Sequence, residues 1–549
     1  MLASKPPNAN ALTASIQAAE QSGDWAQAAT LLSELQTERE SDAAYWTRYA
    51  AALRFSGAKV KALGSLRRAH RLAGDTAPVL TAMAETLCEL GAREQAWEWI
   101  EKAHVLAPGD LTVSYSRALI LIERFDIANA VAALRQLLDR HPEHQPALSA
   151  LLYLLNLAES ADPTAVAEEH CRRATACYVP TRTPQTAHRP KRQSHIRLGF
   201  ISGDFRDHPV GRFAQPLLEH LDRSRFDLYG YDTRASEDPT ATQIRSLFTR
   251  YYDATQSSDD ALEAQIRSDQ LDLLIDLSGH TSGHRMAVLT RRPAPLQIEW
   301  LGYPNTSGLT ALDYRILDPL LAPVDASAPG SEQIVRLPGS FACFRQPPGS
   351  PEVIQRDPGT VVYGSPHRLE KLSDGVVDLW SQILLEQPQA KLLLIRDQLD
   401  GPRQSWMAQR FRKRGVGSDQ LLFQQQPSAD YWSLYAQFDV LLDCFPWSGH
   451  TLACEALWMG VPVVTMIGDS VAGRLSASAL HAAGLEHWIA ASPSEYRRIA
   501  QTLASESHVS RAERRAQIAR SALCDEHRFT AQFAALIESL KVGECSSPR

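Results

Sequence analysis

The sequence predicts an α-helical repeat array followed by two parallel α/β lobes of the Rossmann type. Alanines recur every 34 residues through the first third of the chain. After residue 195, short apolar runs rich in β-branched residues alternate with helical stretches of roughly ten to twenty residues. The runs fall into two series, and each series suffices for a parallel sheet covered by helices on both faces.

The composition is that of a folded globular protein. Its 549 residues, 44% hydrophobic and 22% charged, suggest about three or four folding units. The 56 basic and 63 acidic side chains give a net charge of −7, so no overall basic field indicates nucleic-acid binding. No apolar run reaches the ~18 residues of a membrane span, and the first residues lack a signal-peptide pattern. Eight scattered cysteines indicate reduced thiols, and we predict a cytoplasmic protein with no transmembrane segment.

The repeat occupies residues 1–177. Small side chains recur where two helices of a pair would touch, and glycines precede three of these positions by five residues. This period resembles that of the tetratricopeptide repeat, although an unrelated alanine-rich bundle is an alternative. We predict four helical pairs and a degenerate fifth pair at about 145–177, together forming an α-solenoid. The recurring residues are Ala28, Ala62, Ala96 and Ala130, followed seven positions later by Leu35, Ala69, Ala103 and Leu137.

Residues 178–194 carry three prolines and five basic groups, which is typical of a solvated linker. The first lobe is predicted at 195–356 and the second at 357–510. A C-terminal helix and tail at 511–549 can pack across either lobe. The predicted strands are 196–202, 226–232, 272–278 and 296–302 in the first series, and 360–365, 391–396, 421–425, 439–445 and 462–468 in the second.

Three long segments resemble the O-linked N-acetylglucosamine transferase family: GDFRDHPVGRF (203–213), 292–308 and 449–480. The order of a repeat array and a two-lobed region also matches that family. The resemblance implies a GT-B glycosyltransferase that is inverting and metal-independent, and that transfers N-acetylglucosamine from UDP-GlcNAc to Ser or Thr hydroxyls. It implies no cofactor besides the donor, and the sequence contains no Asp-x-Asp motif of a metal-dependent enzyme.

The resemblance places the donor site in the second lobe, where a turn leads into a helix beginning at His450. A helix N-terminus binds phosphate through its free N–H groups. Gly449 lets the backbone approach the ligand and Thr451 adds a hydroxyl, whereas Leu452 stands where the family carries a second Thr. Glu455 replaces the family's Asp at the position that holds the ribose hydroxyls. Ordinary helix capping is the alternative interpretation of this segment.

Lys371 falls on the family's essential lysine, whose charge stabilises the departing UDP. Arg368 stands where the family carries a polar amide, and it is expected to add charge to the same site. Tyr431 and Trp432 lie near the family's uracil-binding segment and offer a ring for stacking, with helix-core packing as the alternative. Arg474 is expected to neutralise charge near the site or to serve the scaffold.

In the first lobe, His208 falls on a histidine proposed for catalysis in the family, as a base or as a positioning group. Its ring titrates near neutrality, although a structural role before Pro209 is an alternative. His280 is the rival base, and it can equally hold its own loop together with Thr281. The loop that resembles the family's sugar- and acceptor-facing wall comprises Leu301, Gly302, Tyr303 and Pro304.

These observations predict a UDP-sugar-dependent glycosyltransferase whose protein or peptide acceptor contacts the helical repeats. The alternatives are a GDP-fucose or UDP-glucose enzyme of the same family, or a repeat scaffold with an inactive sugar-nucleotide-binding module. Long family members line their array with asparagines that hold peptide backbone. This chain has only four asparagines before residue 180, so the identity of the acceptor stays open.

Overall fold

The computed structural model describes residues 9–159, 162–179, 195–324, 329–347, 349–356, 359–397, 399–426, 430–506 and 510–543. The chain divides into two compact units between Leu151 and Leu152. Most of the predicted linker, residues 180–194, lies outside the described residues. Among the helices within those ranges, none is long and apolar enough to cross a membrane.

The first unit is a succession of helices in which each packs against the next, as the repeat predicts. All four anchor alanines are completely buried, because a larger side chain would separate the paired helices. The helices are α1 (Ala9–Ser22), α2 (Trp25–Ser33), α3 (Ala43–Phe55), α4 (Lys59–Ala73), α5 (Ala77–Glu89), α6 (Arg93–Leu106), α7 (Leu111–Glu123) and α8 (Ile127–Arg140).

The turns inside the repeats use left-handed backbone. Gly23, Gly57 and Gly91 have φ values of +74°, +87° and +83°. Glycine adopts this conformation without steric cost. Phe125 stands at the corresponding position of the fourth repeat and adopts φ +60° despite its side chain. The turn geometry is therefore kept where the glycine is lost.

The predicted fifth pair forms, as α9 (Gln145–Leu155) and α10 (Pro163–Cys177), but the division of the chain assigns α10 to the second unit. The buried side chain of Tyr303 contacts this part of the chain. Its hydroxyl lies 2.9 Å from the carbonyl oxygen of Leu152 and 2.8 Å from Nε2 of His170, and it accepts a hydrogen bond from Asn156. These bonds join the end of α9 and, through His170, α10 to the first α/β lobe.

The first lobe is a seven-stranded parallel sheet with the order β3-β2-β1-β4-β5-β6-β7. Its strands are β1 (Ile196–Ser202), β2 (Phe226–Asp232), β3 (Arg250–Asp253), β4 (Leu273–Asp276), β5 (Leu296–Glu299), β6 (Tyr314–Leu317) and β7 (Gln333–Arg336). The described helices of this lobe are α11 (Pro209–His220), α12 (Pro239–Ser246), α13 (Asp259–Ser268) and α14 (Met286–Leu289). The sequence predicted β1, β2, β4 and β5 but not the other three strands.

The second lobe is a six-stranded parallel sheet with the order β10-β9-β8-β11-β12-β13. Its strands are β8 (Val362–Ser365), β9 (Lys391–Arg396), β10 (Leu421–Gln425), β11 (Val440–Leu442), β12 (Val463–Met466) and β13 (Ile489–Ala490). The helices are α15 (Asp374–Glu386), α16 (Gly401–Arg412), α17 (His450–Trp458), α18 (Leu475–Ala482) and α19 (Pro493–Ser505). All strands except the two-residue β13 were predicted.

The C-terminal stretch is two helices rather than one, α20 (Arg511–Ala519) and α21 (Glu526–Gly543), and they serve different lobes. α20 packs against α17 of the second lobe, whereas α21 packs against α11 of the first. The rings of Phe529 and Phe533 lie against Trp300 at the end of β5. The predicted fold class, a helical repeat array followed by two Rossmann-like lobes, is confirmed.

Candidate active site

A cleft of about 620 Å³ lies between the two lobes, at the carboxyl ends of both sheets. Ligands of parallel α/β folds bind at this edge because the loops there follow the strand ends. The predicted site residues that line it are His208, Leu301, Gly302, Tyr303, Pro304, Arg368, Lys371, Tyr431, Gly449, His450, Thr451, Leu452 and Glu455.

The N-terminus of α17 opens into this cleft. The hydrogen-bonded ladder of the helix begins with Ala453, whose N–H donates to the carbonyl of Gly449 over 2.9 Å. The N–H groups of residues 450–452, in the first turn of the helix, come before this ladder, and a helix leaves such groups for a ligand. A Cβ on Gly449 would lie 2.3 Å from Nε2 of His367, so only glycine fits beside that ring.

A buried hydrogen-bonded pair, His367 and Asp443, supports this helix start. Oδ1 of Asp443 accepts hydrogen bonds from Nε2 of His367 over 2.9 Å and from the N–H of Gly449 over 2.8 Å, and Oδ2 accepts from Thr465 over 2.6 Å. Burial alone would raise the pKa of Asp443, but the hydrogen bonds from His367 and Thr465 hold it below its ordinary value. Burial lowers the pKa of His367, so a neutral ring orients an ionised carboxylate.

His367, Asp443 and Cys444 bring possible metal-ligand atoms within 4.8 Å of one another. Both ring nitrogens of His367 are already engaged, because Nδ1 lies 2.9 Å from the hydroxyl of Ser365. Both oxygens of Asp443 are engaged as well. This donor set fits a hydrogen-bond network better than a metal centre.

Lys371 ends a short 3₁₀ turn that follows β8, next to the start of α17. Its Nζ donates to the carbonyl of Ser448 over 3.3 Å and lies 4.2 Å from the centre of the Trp447 ring. Burial lowers the pKa of its ammonium group. The lysine charge and the helix N-terminus therefore converge on one region of the cleft. Arg368 is nearby, but its side chain is 60% exposed and lies 3.7 Å from Glu370.

Glu455 is buried, and both of its oxygens have protein partners. Oε2 accepts from the hydroxyls of Tyr431 and Tyr435 over 2.5 and 2.8 Å, and Oε1 accepts from Arg212 over 3.2 Å. Burial raises the pKa of Glu455, while the two tyrosines and Arg212 counteract that rise. Tyr431 meets Trp432 edge-on, at 5.4 Å between ring centres, and Trp432 is not among the residues that line the described cleft.

His208 is the N-cap residue of α11, and its Nδ1 accepts from the N–H of Val210 over 3.3 Å. A neutral ring in this role carries its proton on Nε2. The same Nδ1 lies 3.5 Å from Oδ2 of Asp204, which would accept a hydrogen bond from Nδ1 in the other tautomer. Burial lowers the pKa of His208, and the Asp204 carboxylate partly offsets this.

His280 is placed differently from His208. It is buried, its Nε2 donates to the carbonyl of Ser307 over 2.7 Å, and it is not among the residues that line the described cleft. Burial lowers its pKa to about 4. Thr281 bonds the carbonyl of Ser278 in the same loop. This geometry does not support His280 as the rival base and agrees with the loop-holding alternative.

Arg474 joins the two lobes through main-chain oxygens. Its Nε donates to Gly468 over 2.7 Å, and Nη1 donates to Leu320 over 3.3 Å. These contacts favour the scaffold alternative for Arg474. In the loop at 301–304, Leu301 adopts the left-handed backbone conformation, with φ +71°. A Cβ on Gly302 would lie 2.0 Å from the carbonyl oxygen of Leu277, so only glycine fits at this position of the loop.

Sequence reasoning missed Arg212, Tyr435, Glu299 and Arg315. Glu299 ends β5 and is the register partner of Arg315 on β6. Both side chains are buried in the wall of the cleft, and both oxygens of Glu299 and two nitrogens of Arg315 have no hydrogen-bond partner. Burial raises the pKa of Glu299 well above its ordinary range. The available signal was a Glu inside an otherwise apolar predicted strand. Arg315 gave no such signal, because the sequence did not predict β6.

Two facing parallel lobes, with a helix N-terminus and a buried lysine at the cleft between them, are the architecture of the GT-B class of glycosyltransferases. The chain belongs to glycosyltransferase family 41, whose model matches residues 133–344 and 354–533. The predicted family resemblance is confirmed by this match.

Individual relatives agree with the family assignment. The chain is 31% identical over 369 residues to the probable UDP-N-acetylglucosamine–peptide N-acetylglucosaminyltransferase SPINDLY of Oryza sativa, covering 64% of this chain and 39% of that protein. The Arabidopsis thaliana protein of that name is 32% identical over 326 residues, covering 57% and 35%. The chain thus spans less than half the length of these curated relatives.

A solved structure matches nearly the whole chain. A mutant of the Thermobaculum terrenum O-GlcNAc transferase superposes with a TM-score of 0.82 at 30% identity. The match covers 92% of this chain and 98% of that one. The helical array and both lobes therefore have a counterpart of similar fold in one molecule.

Proposed function

We propose that this chain transfers N-acetylglucosamine from UDP-GlcNAc to a Ser or Thr hydroxyl of a protein, with inversion and without a metal. The observation that carries the proposal is the convergence of Lys371 with the N-terminus of α17. Breaking the bond between the sugar and the β-phosphate leaves negative charge on UDP. A fixed ammonium group and a helix N-terminus stabilise that charge without a divalent cation.

The acceptor hydroxyl attacks the anomeric carbon from the side opposite to UDP, which inverts the configuration. The proton of that hydroxyl needs an acceptor. His208 can take it only in the tautomer that carries a proton on Nδ1, facing Asp204, because the N-cap arrangement leaves Nε2 protonated. In the N-cap tautomer His208 instead donates to a substrate oxygen. We propose that His208 acts as the base. The acid limb of the pH dependence of transfer distinguishes this role from that of a hydrogen-bond donor.

The acceptor is proposed to be a protein or peptide that contacts the helical repeats. Exposed apolar side chains in the array, Val60 and Val105 among them, offer contact surface for it. Replacing both valines by serine should raise KM for a protein acceptor and leave donor hydrolysis unchanged. Equal KM values would exclude these two positions.

The deciding experiment supplies UDP-GlcNAc, UDP-glucose and GDP-fucose separately to the purified chain with a cell lysate. Mass spectrometry then identifies the transferred sugar and the modified residue. We expect a HexNAc on Ser or Thr with UDP-GlcNAc alone. Transfer of fucose or glucose would change the donor, and UDP binding in calorimetry without turnover would favour the scaffold alternative.

A further inference from the structure

An ion pair connects the two lobes directly across the cleft. Arg212 lies on α11, one turn after His208, and its Nη1 is 3.2 Å from Oε1 of Glu455. Glu455 lies on α17, one turn after Thr451. Both side chains line the cleft. The helix that begins at the proposed base is thus tied to the helix that begins at the proposed phosphate site.

The hydrogen-bonding capacity of Glu455 is nearly exhausted. A carboxylate offers about four acceptor positions. Tyr431 and Tyr435 use both positions on Oε2, and Arg212 uses one on Oε1. One position is left, whereas the ribose of a nucleotide presents two neighbouring hydroxyls. Glu455 alone therefore cannot bind both hydroxyls while it keeps these partners.

Arg212 has the capacity that Glu455 lacks. Its guanidinium carries five N–H donors. Oδ1 of Asp207 accepts a hydrogen bond from Nε over 2.9 Å and lies 2.8 Å from Nη2. Oε1 of Glu455 accepts a hydrogen bond from Nη1. Donors remain, and the side chain is 37% exposed, so it can reach a ligand. Asp207 keeps the guanidinium in place while it does so.

We propose that Arg212 and Glu455 form a ribose clamp made from both lobes. The carboxylate accepts the O–H of one ribose hydroxyl, and the guanidinium donates to the oxygen of the other. The inference rests on the proposed function because it takes the nucleotide of a sugar donor as the ligand. It adds a second residue, from the opposite lobe, to the recognition of that ribose.

Calorimetry on the full chain tests the clamp with the nucleoside diphosphate that wild type binds and with its 2′-deoxy and 3′-deoxy forms. Arg212→Gln should weaken binding of the ribose form about tenfold, as expected for one charge-assisted hydrogen bond. The variant should bind the deoxy form that lacks the hydroxyl contacted by Arg212 about as well as wild type does. Glu455→Gln should lose discrimination at the other hydroxyl. Arg212→Lys keeps the charge and should lie in between.

The control is Arg225→Gln, which removes another arginine of the first lobe that is paired with a glutamate, Glu538 of α21. This variant should bind the ribose form and both deoxy forms with the affinities of wild type. Thermal melting should show that every variant is folded. Tighter nucleotide binding by Arg212→Gln would mean that Arg212 only competes with ribose for Glu455, and unchanged binding would mean that it only spaces the lobes. Either result overturns the clamp. If wild type binds neither UDP nor GDP, the proposed function itself fails.

Discussion

Replacing Lys371 by methionine should lower the rate of sugar transfer about a hundred- to thousandfold. The Nζ is held 3.3 Å from the Ser448 carbonyl and 4.2 Å from the Trp447 ring, so the charge is in place before UDP departs. Removing one preorganised charge contact of this kind costs about 3–4 kcal/mol of transition-state stabilisation, which gives that factor. Methionine keeps most of the side-chain volume, so the loss reports the charge.

The assay is single-turnover transfer from UDP-GlcNAc, with calorimetry for donor and product. UDP should bind Lys371→Met more weakly than wild type, because it carries the full product charge, whereas intact donor should lose less affinity. Lys413→Met, which removes an exposed lysine at the end of α16, is the control and should change neither quantity. Unchanged turnover together with unchanged UDP affinity would refute the role of Lys371.

The same lysine predicts an alkaline limit of activity. Burial lowers its pKa below the ordinary 10.5, so the cationic form is lost at a lower pH than for an exposed lysine. Because kcat/KM reports the free enzyme, this quantity should fall as pH rises through the lowered pKa. Lys371→Arg, which stays charged, should lose that alkaline limb.

Three further outcomes are expected. EDTA should leave transfer nearly unchanged, and a loss restored by Mn²⁺ or Mg²⁺ would contradict the metal-free proposal. UDP should bind more tightly than GDP in calorimetry, whereas equal or reversed affinities would favour the fucosyl alternative. His208→Asn keeps an N-cap acceptor but no titrating ring, so transfer should fall about a hundred- to ten-thousandfold with UDP affinity retained. The wild-type acid limb, expected below 6.5 because the pKa of His208 is lowered, should disappear with it, and near-normal transfer would remove His208 from the chemistry.

The sequence predicted the fold wherever strands are buried on both faces. Apolar runs such as those of β1 and β9 matched the observed strands in full, because burial on both sides demands a continuous apolar pattern. β3 and β7 are four-residue edge strands with Arg and Asp or Gln at their ends, so they lack that pattern. The attachment of α10 to the first lobe could not be predicted for a different reason. It depends on contacts of Tyr303 that no local pattern encodes.

The residues of the candidate site also comprise some that the sequence could place and others that it could not. His208, Lys371 and Gly449 could be placed because each follows a predicted strand, and strand ends of a parallel sheet share one edge. The same argument placed His280, yet its ring lies beneath the loop and bonds Ser307. Sequence position specifies the strand end but not the direction of the side chain. The pairing of Arg212 with Glu455 joins residues 243 positions apart and exists only after the lobes meet.

The position of α21 has a consequence for how the chain folds during synthesis. The last strand of the first lobe ends at Arg336, but Trp300 and α11 are covered by a helix that begins at Glu526. At about 5–20 residues per second, the ribosome needs roughly 10–40 s to reach that helix after completing the sheet. During this interval the surface that α21 covers, with Trp300 in it, stays exposed on the nascent first lobe, and we expect chaperones to bind there. The first lobe is therefore fully covered only after the whole second lobe has been synthesised, so we expect a defect in either lobe to leave the first lobe incompletely folded.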